Sequence, residues 1–215
     1  MDTIIERFEK IKLNIASAKS TKKVEIIAVS KTFPIDTIKP LIDYGHQHFG
    51  ENKVQEAQAK WGDELKKNKN IKLHMIGKLQ SNKAKDAVKL FDYIHSLDNQ
   101  KLADNLFKFQ NNLNKKLQYF IQVNIANEIQ KSGISISDLD PFYNYCTKEI
   151  KLNILGLMII PPNNNNTDRY FKSLNELNNS LALKELSMGM SADYLEAVQY
   201  GATFVRIGSS IFGSR

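Results

Sequence analysis

Lys31 ends an apolar run, Val24-Glu25-Ile26-Ile27-Ala28-Val29-Ser30-Lys31-Thr32, and a helix start follows at Pro34. Two later segments have a related form: Leu186-Ser187-Met188-Gly189-Met190-Ser191 and Phe204-Val205-Arg206-Ile207-Gly208-Ser209-Ser210. An amine at the end of a buried strand can condense with an aldehyde, because shielding from water weakens its preference for the charged form. Hydroxyls and backbone N–H groups in a glycine-bearing loop can hold an anion. A phosphorylated aldehyde needs both, and pyridoxal 5'-phosphate fits that description. Taken alone, Lys31 reads as one more solvated lysine; the apolar strand before it is what favours the reactive reading.

Arg206 lies between Val205 and Ile207 and is one of only four arginines. A buried guanidinium keeps its charge and must find acceptors. One reading is an ion pair inside the fold; the other is an N–H donated to the pyridine nitrogen of the cofactor, which would hold that nitrogen unprotonated and weaken the ring as an electron sink. Ser191 is expected to open a helix, where an N-cap and a phosphate ligand are compatible roles. Gly208 permits close backbone approach, and Ser209 or Ser210 could add hydroxyls. His46 and His48 are expected to share one face of a strand, and with His74 and His95 they read as core or mouth-lining residues. No carboxylate or cysteine at ligand spacing accompanies them, so no metal is expected. Cys146 reads as a buried helix residue. Met75, Met158, Met188 and Met190 read as core.

These side chains need elements to carry them. Apolar runs predict strands at 24–30, 46–50, 72–77, 92–96, 118–125, 152–158, 185–189 and 203–207. Helical spacing fills the gaps at 34–44, 52–68, 81–90, 99–115, 137–149, 167–182 and 191–200, with an extra helix near 2–19. Runs such as Tyr119-Phe120-Ile121-Gln122-Val123 are apolar on both faces, as in a parallel sheet. Asp98, Ser137 and Ser191 are the expected N-caps, and Pro161 to Asn166 the expected loop. Eight strand–helix repeats predict an α/β fold, a single (β/α)₈ TIM-type barrel, with residues 1–215 forming one domain. An open doubly wound sheet would call for a G-x-G-x-x-G or Walker turn, and neither is present. In a barrel the strand ends bearing Lys31, Ser191 and Gly208 converge on one mouth.

Composition narrows the function classes. The net charge is +7, with 30 basic and 23 acidic residues. The lysines are spread along helices, as solvated faces are, so no nucleic-acid partner is expected. No run reaches the length of a membrane helix and no signal peptide is evident. A lone cysteine points to a reducing, cytoplasmic setting.

Several segments in register resemble one family: Ala28-Val29-Ser30-Lys31-Thr32, Phe49-Gly50-Glu51-Asn52-Lys53-Val54-Gln55-Glu56, His74-Met75-Ile76-Gly77-Lys78-Leu79-Gln80-Ser81-Asn82-Lys83, Lys131-Ser132-Gly133, and the two late segments above. The chain resembles the pyridoxal phosphate homeostasis proteins, barrels akin to the N-terminal domain of alanine racemase. The resemblance implies that Lys31 forms the internal aldimine and that Arg206 faces the pyridine nitrogen. It also puts Ser191, Gly208 and Ser209 at the phosphate, and Asn52 and His74 near the cofactor mouth. It further implies a role in vitamin B6 balance, by buffering the cofactor or delivering it to pyridoxal phosphate-dependent apo-enzymes, with no catalytic residue of its own. The alternative is a weak amino-acid racemase. Racemases of related fold take a second base from an added domain and a partner subunit. Here the chain ends at Arg215 soon after the eighth strand, so the expectation is an open site and a monomer.

Overall fold

The structure is a computed structural model that describes residues 2–18, 20, 22–128, 130–162 and 166–213. Helix α1 (Ile4–Ser17) opens with a reciprocal cap, in which the Thr3 side chain accepts from the Glu6 N–H and the Glu6 carboxylate accepts from the Thr3 N–H. The strand–helix repeats follow as β1 (Glu25–Val29), α2 (Ile35–Asp43), β2 (His48–Glu51), α3 (Val54–Trp61), α4 (Glu64–Lys67), β3 (Lys72–Met75), α5 (Ala84–Leu90), β4 (Tyr93–Leu97) and α6 (Gln100–Asn112). They continue as β5 (Gln118–Gln122), α7 (Ile136–Asn144), β6 (Ile154–Met158), α8 (Thr167–Ser180), β7 (Glu185–Met190), α9 (Tyr194–Gln199), β8 (Phe204–Ile207) and α10 (Ser209–Phe212). All eight strands are parallel, and β8 pairs back onto β1, so the sheet closes into the expected barrel.

Every strand departs from its predicted range by only a few residues. The helices show more. The run expected at 52–68 divides at Gly62 and Asp63 into α3 and α4, and the one at 137–149 passes from α7 into a π-helical turn over Tyr145–Glu149. Asn99 caps α6 where Asp98 was expected, and Ser135 caps α7 in place of Ser137. Pro34 stands at the N-cap of α2 rather than in its first turn. Asn163 to Asn165 of the expected loop lie outside the described residues. Among those described, no helix is long and apolar enough to cross a membrane.

Alternation along each strand divides the side chains into two cores. The larger lies between barrel and helices and includes Trp61, Phe49, Phe91 and Phe171. The smaller fills the barrel with Ile27, Phe120, Met158 and Phe204. Three histidines share that interior with the aromatics: His74 stacks on Tyr93 at 4.1 Å and His95 on Phe120 at 4.4 Å. Met75, Met158 and Met188 are buried, as is Cys146, whose thiol is pushed up to about 12 by burial. Met190 corrects the expectation, lying 36% exposed at the barrel mouth.

Candidate functional site

At the C-terminal ends of the strands lies a cavity of about 690 Å³ that Lys31, Asn52, Ser191, Arg206, Gly208 and Ser209 all help to line. A cavity of that size suits a small cofactor. Six of the seven sequence-derived candidates therefore meet there.

The turn that carries Lys31 is tightly braced. Strand β1 stops at Val29, and Thr32 adopts φ 68°, a left-handed conformation that is uncommon for a β-branched residue. Its N–H donates to the Glu56 carboxylate at 2.5 Å. Lys60 Nζ donates to the Ser30 carbonyl at 2.8 Å, to Glu51 at 2.9 Å and to Glu56 at 3.3 Å. The same Glu51 oxygen accepts from the Ser30 hydroxyl at 2.7 Å and from the Trp61 indole N–H at 2.9 Å. Glu51, Glu56, Lys60 and Trp61 were not among the candidates. Their only sequence signal is a glutamate at the end of a strand, with a lysine and a second glutamate on the helix that follows.

Arg206 is 4% exposed. One guanidinium nitrogen donates to the Ser187 hydroxyl at 2.8 Å and another to the Ile159 carbonyl at 2.8 Å. Both acceptors are neutral. Burial therefore lowers the Arg206 pKa to about 10, which leaves the group charged at neutral pH. The residue also lines the cavity.

Ser191 does not cap α9, which begins at Tyr194; it sits in the intervening turn, where Asp193 accepts from the Met190 N–H at 2.6 Å. The Ser191 hydroxyl reaches across to the next loop and accepts from the backbone N–H groups of Gly208, at 3.3 Å, and Ser210, at 3.4 Å. Both contacts are long. A methyl group at Gly208 would lie 3.3 Å from the Val29 carbonyl, so the loop after β8 passes close against β1. Asn52 is half-buried, and its Oδ1 atom is buried with no hydrogen-bond partner among the described residues.

His74 does not reach the cavity. It is fully buried inside the barrel, with Nε2 against His48 Nδ1 at 2.9 Å and Nδ1 against His95 Nε2 at 2.9 Å. Its side chain points into the barrel interior, between those of His48 and His95. His46 and His48 also separate. His46 precedes β2 and packs outside the barrel on Phe8 and Phe49, at 4.7 and 5.2 Å, whereas His48 turns inward. Among the described residues, no three His, Cys, Asp or Glu side chains gather where they could hold a metal ion.

Comparison with known proteins bears on the family and the fold. The family model of the alanine racemase N-terminal domain matches residues 7–215. The chain is 36% identical to the pyridoxal phosphate homeostasis protein of Aquifex aeolicus, covering 100% of this chain and 96% of that one. It is 33% identical to the protein of the same name in Escherichia coli K12, over 100% and 98%. Among solved structures, PipY of Synechococcus elongatus with PLP bound superposes with a TM-score of 0.88 at 35% identity, over 98% of this chain and all of that one. An alanine racemase from Clostridium difficile shares the fold at 13% identity, with a TM-score of 0.73 over 57% of its length.

Proposed function

Because this chain belongs to the pyridoxal phosphate homeostasis proteins of the alanine racemase N-terminal domain family, we propose that its barrel mouth holds pyridoxal 5'-phosphate and that the protein keeps this cofactor bound and available in the cell. The observation that carries the reading is the convergence of Lys31, Arg206 and the Ser191–Gly208 loop pair on one cavity. When bound, the cofactor supplies an aldehyde that condenses with an amine and a ring that draws electrons from whatever is attached to it.

The residues present fit that group. The orphaned Asn52 Oδ1 is a buried acceptor, and a ring hydroxyl is the kind of donor it needs. Lys31 supplies the amine, on a turn that Glu56 and Lys60 hold rigid. Ser191 fixes the loop whose N–H groups, with the Ser209 hydroxyl, would hold a phosphate. Arg206 offers only donors, so it stabilises a ring nitrogen without a proton and restrains the electron sink.

That restraint favours storage and delivery over turnover. Racemisation needs an acid or base on each face of the reacting carbon. The described residues lining the cavity include Lys31 and Arg206 but no histidine, tyrosine, cysteine or carboxylate. We therefore read the protein as a carrier, without turnover of its own, that hands the cofactor to pyridoxal phosphate-dependent apo-enzymes. It works as a monomer in the cytoplasm, a setting that suits its single buried thiol.

The test is a visible absorption spectrum of the wild type beside Lys31→Ala, before and after addition of pyridoxal phosphate. A new band in the wild type that the variant lacks supports the reading. No band in the wild type with excess cofactor would overturn it, and alanine racemisation at ordinary enzymatic rates would overturn the carrier role.

A further inference from the structure

Three buried polar side chains and the half-buried His48 link Arg206 to the opposite end of the barrel. From the Ser187 hydroxyl, which accepts from Arg206, the path runs to His95 Nδ1 at 2.9 Å, then from His95 Nε2 to His74 Nδ1 and from His74 Nε2 to His48 Nδ1, each also at 2.9 Å. His48 opens β2, and its Nε2 lies 3.9 Å from the Glu25 carboxylate at the start of β1. The five residues come from β2, β3, β4, β7 and β8, so the path crosses the full interior.

Its direction follows from what each end can do. Arginine can only donate, so Ser187 Oγ accepts from it. Ser187 is fully buried and, among the described residues, its side chain has no partner beyond Arg206 and His95. If His95 donated to Ser187, the serine hydroxyl proton would be left buried without an acceptor, which is unfavourable. The serine therefore donates to His95 Nδ1, which puts the His95 proton on Nε2. His74 and His48 follow with the same tautomer. The far end agrees independently, because the last N–H, on His48 Nε2, then faces the Glu25 carboxylate; the reverse order would set a lone pair against it.

We propose that Ser187, His95, His74 and His48 form a one-directional hydrogen-bond chain that positions the Arg206 guanidinium for the cofactor. The proposal rests on the reading of Arg206 given above. With one guanidinium nitrogen committed to Ser187 and another to the Ile159 carbonyl, the plane of the group is fixed where Arg206 lines the cavity. Such a chain must stay neutral, since a proton on any imidazole sets one N–H against another. The charged and titratable groups facing it are Glu25, Lys23, Lys72 and Asp92 around His48, with His46 and Tyr93 beside the chain and Arg206 beyond His95. Burial, the largest cause, and then the Arg206 charge hold His95 neutral. Ser187, His95, His74 and His48 are thus positioning residues, and none of them touches the cavity.

The primary test is a proton–nitrogen correlation spectrum of the imidazoles in ¹⁵N-labelled full-length protein at pH 7, without and with pyridoxal phosphate. The expected result is a neutral Nε2–H tautomer at His48, His74 and His95, each assigned by its single His→Gln variant. An Nδ1–H tautomer or an imidazolium at His74 or His95 would overturn the chain. In parallel, Ser187→Ala is expected to weaken cofactor binding about tenfold and to move the absorption maximum of the loaded protein, with Ser187→Thr restoring both. Wild-type affinity and an unmoved maximum in a folded Ser187→Ala would overturn the positioning role. If Ser187→Ala does not fold, the wild-type tautomers still decide. If the wild type takes up no cofactor, the proposed function falls, while the tautomers of the cofactor-free protein still test the chain.

Discussion

The backbone N–H of Thr32 donates to the Glu56 carboxylate at 2.5 Å, so the turn bearing Lys31 is held from the helix of the next strand–helix unit rather than by its own strand. A left-handed Thr32 costs free energy, and the charged acceptor offsets it. Replacing Glu56 with alanine removes that acceptor and one partner of Lys60. The turn is then expected to sample other conformations and pyridoxal phosphate affinity to fall about tenfold, with a small loss of stability of about 1–2 kcal/mol. Equilibrium titration beside a thermal melt checks this. Unchanged affinity in a folded Glu56→Ala protein would mean that the bracing does not position Lys31.

Gly156 in β6 has no space for a side chain, because an added Cβ would sit 1.7 Å from the Glu185 carbonyl on β7. Backbone cannot retreat there without opening the ladder between two barrel strands. Gly156→Ala is expected to cost at least about 3 kcal/mol, at the severe end for a point substitution. Its urea midpoint should fall sharply, or the protein should fail to accumulate in soluble form. A near-wild-type midpoint would show that the pairing of β6 with β7 relaxes more easily than the close approach implies.

Acid should weaken the fold earlier than carboxylate titration alone would. Burial holds His74 and His95 well below the usual histidine pKa, and it lowers His46 to about 4. Below a pH of about 6.5 the unfolded chain binds protons that the folded one refuses. Their contribution is therefore complete above that value and is lost as pH falls, at about 1.4 kcal/mol per pH unit for each imidazole that stays neutral. Urea midpoints should be level from pH 8 to 7 and then drop between 6.5 and 5, for the most part before Asp and Glu titrate. A level curve down to pH 5 would show that these histidines protonate freely in the folded state.

Sequence periodicity was enough to read the barrel, because a strand buried on both faces is an unbroken apolar run and each helix carries its own stripe. Lys31 and Arg206 stood out for a related reason, as charges set in or at the end of such runs. The histidine chain was hidden. Which strands of a barrel lie side by side can be inferred, but which interior side chains meet depends on stagger and tilt, and no spacing within one strand encodes these. The family resemblance put His74 near the mouth, whereas the fold points it inward, in keeping with the core reading of its residue type. The misplaced caps have a local cause: Asp98 and Asn99, or Ser135 and Ser137, are chemically equivalent candidates one or two residues apart. The four-residue helix after Gly208 was missed because it is too short for any period to show.

The Ser191 hydroxyl joins the loop after β7 to the N–H groups of the loop after β8, and that linkage allows phosphate recognition to be tested apart from the amine. Ser191→Ala leaves Lys31, Arg206 and Asn52 untouched but releases the Gly208 loop and removes one hydroxyl from the cavity. If the loop pair holds the phosphate, the variant should bind pyridoxal phosphate about tenfold more weakly, as expected for one lost hydrogen bond to a charged group. Unphosphorylated pyridoxal, which condenses through the same aldehyde, should bind both proteins alike. The ratio of the two affinities is the informative quantity, because a general distortion of the mouth would weaken both ligands together. Equal losses for pyridoxal and its phosphate would move the phosphate site away from Ser191.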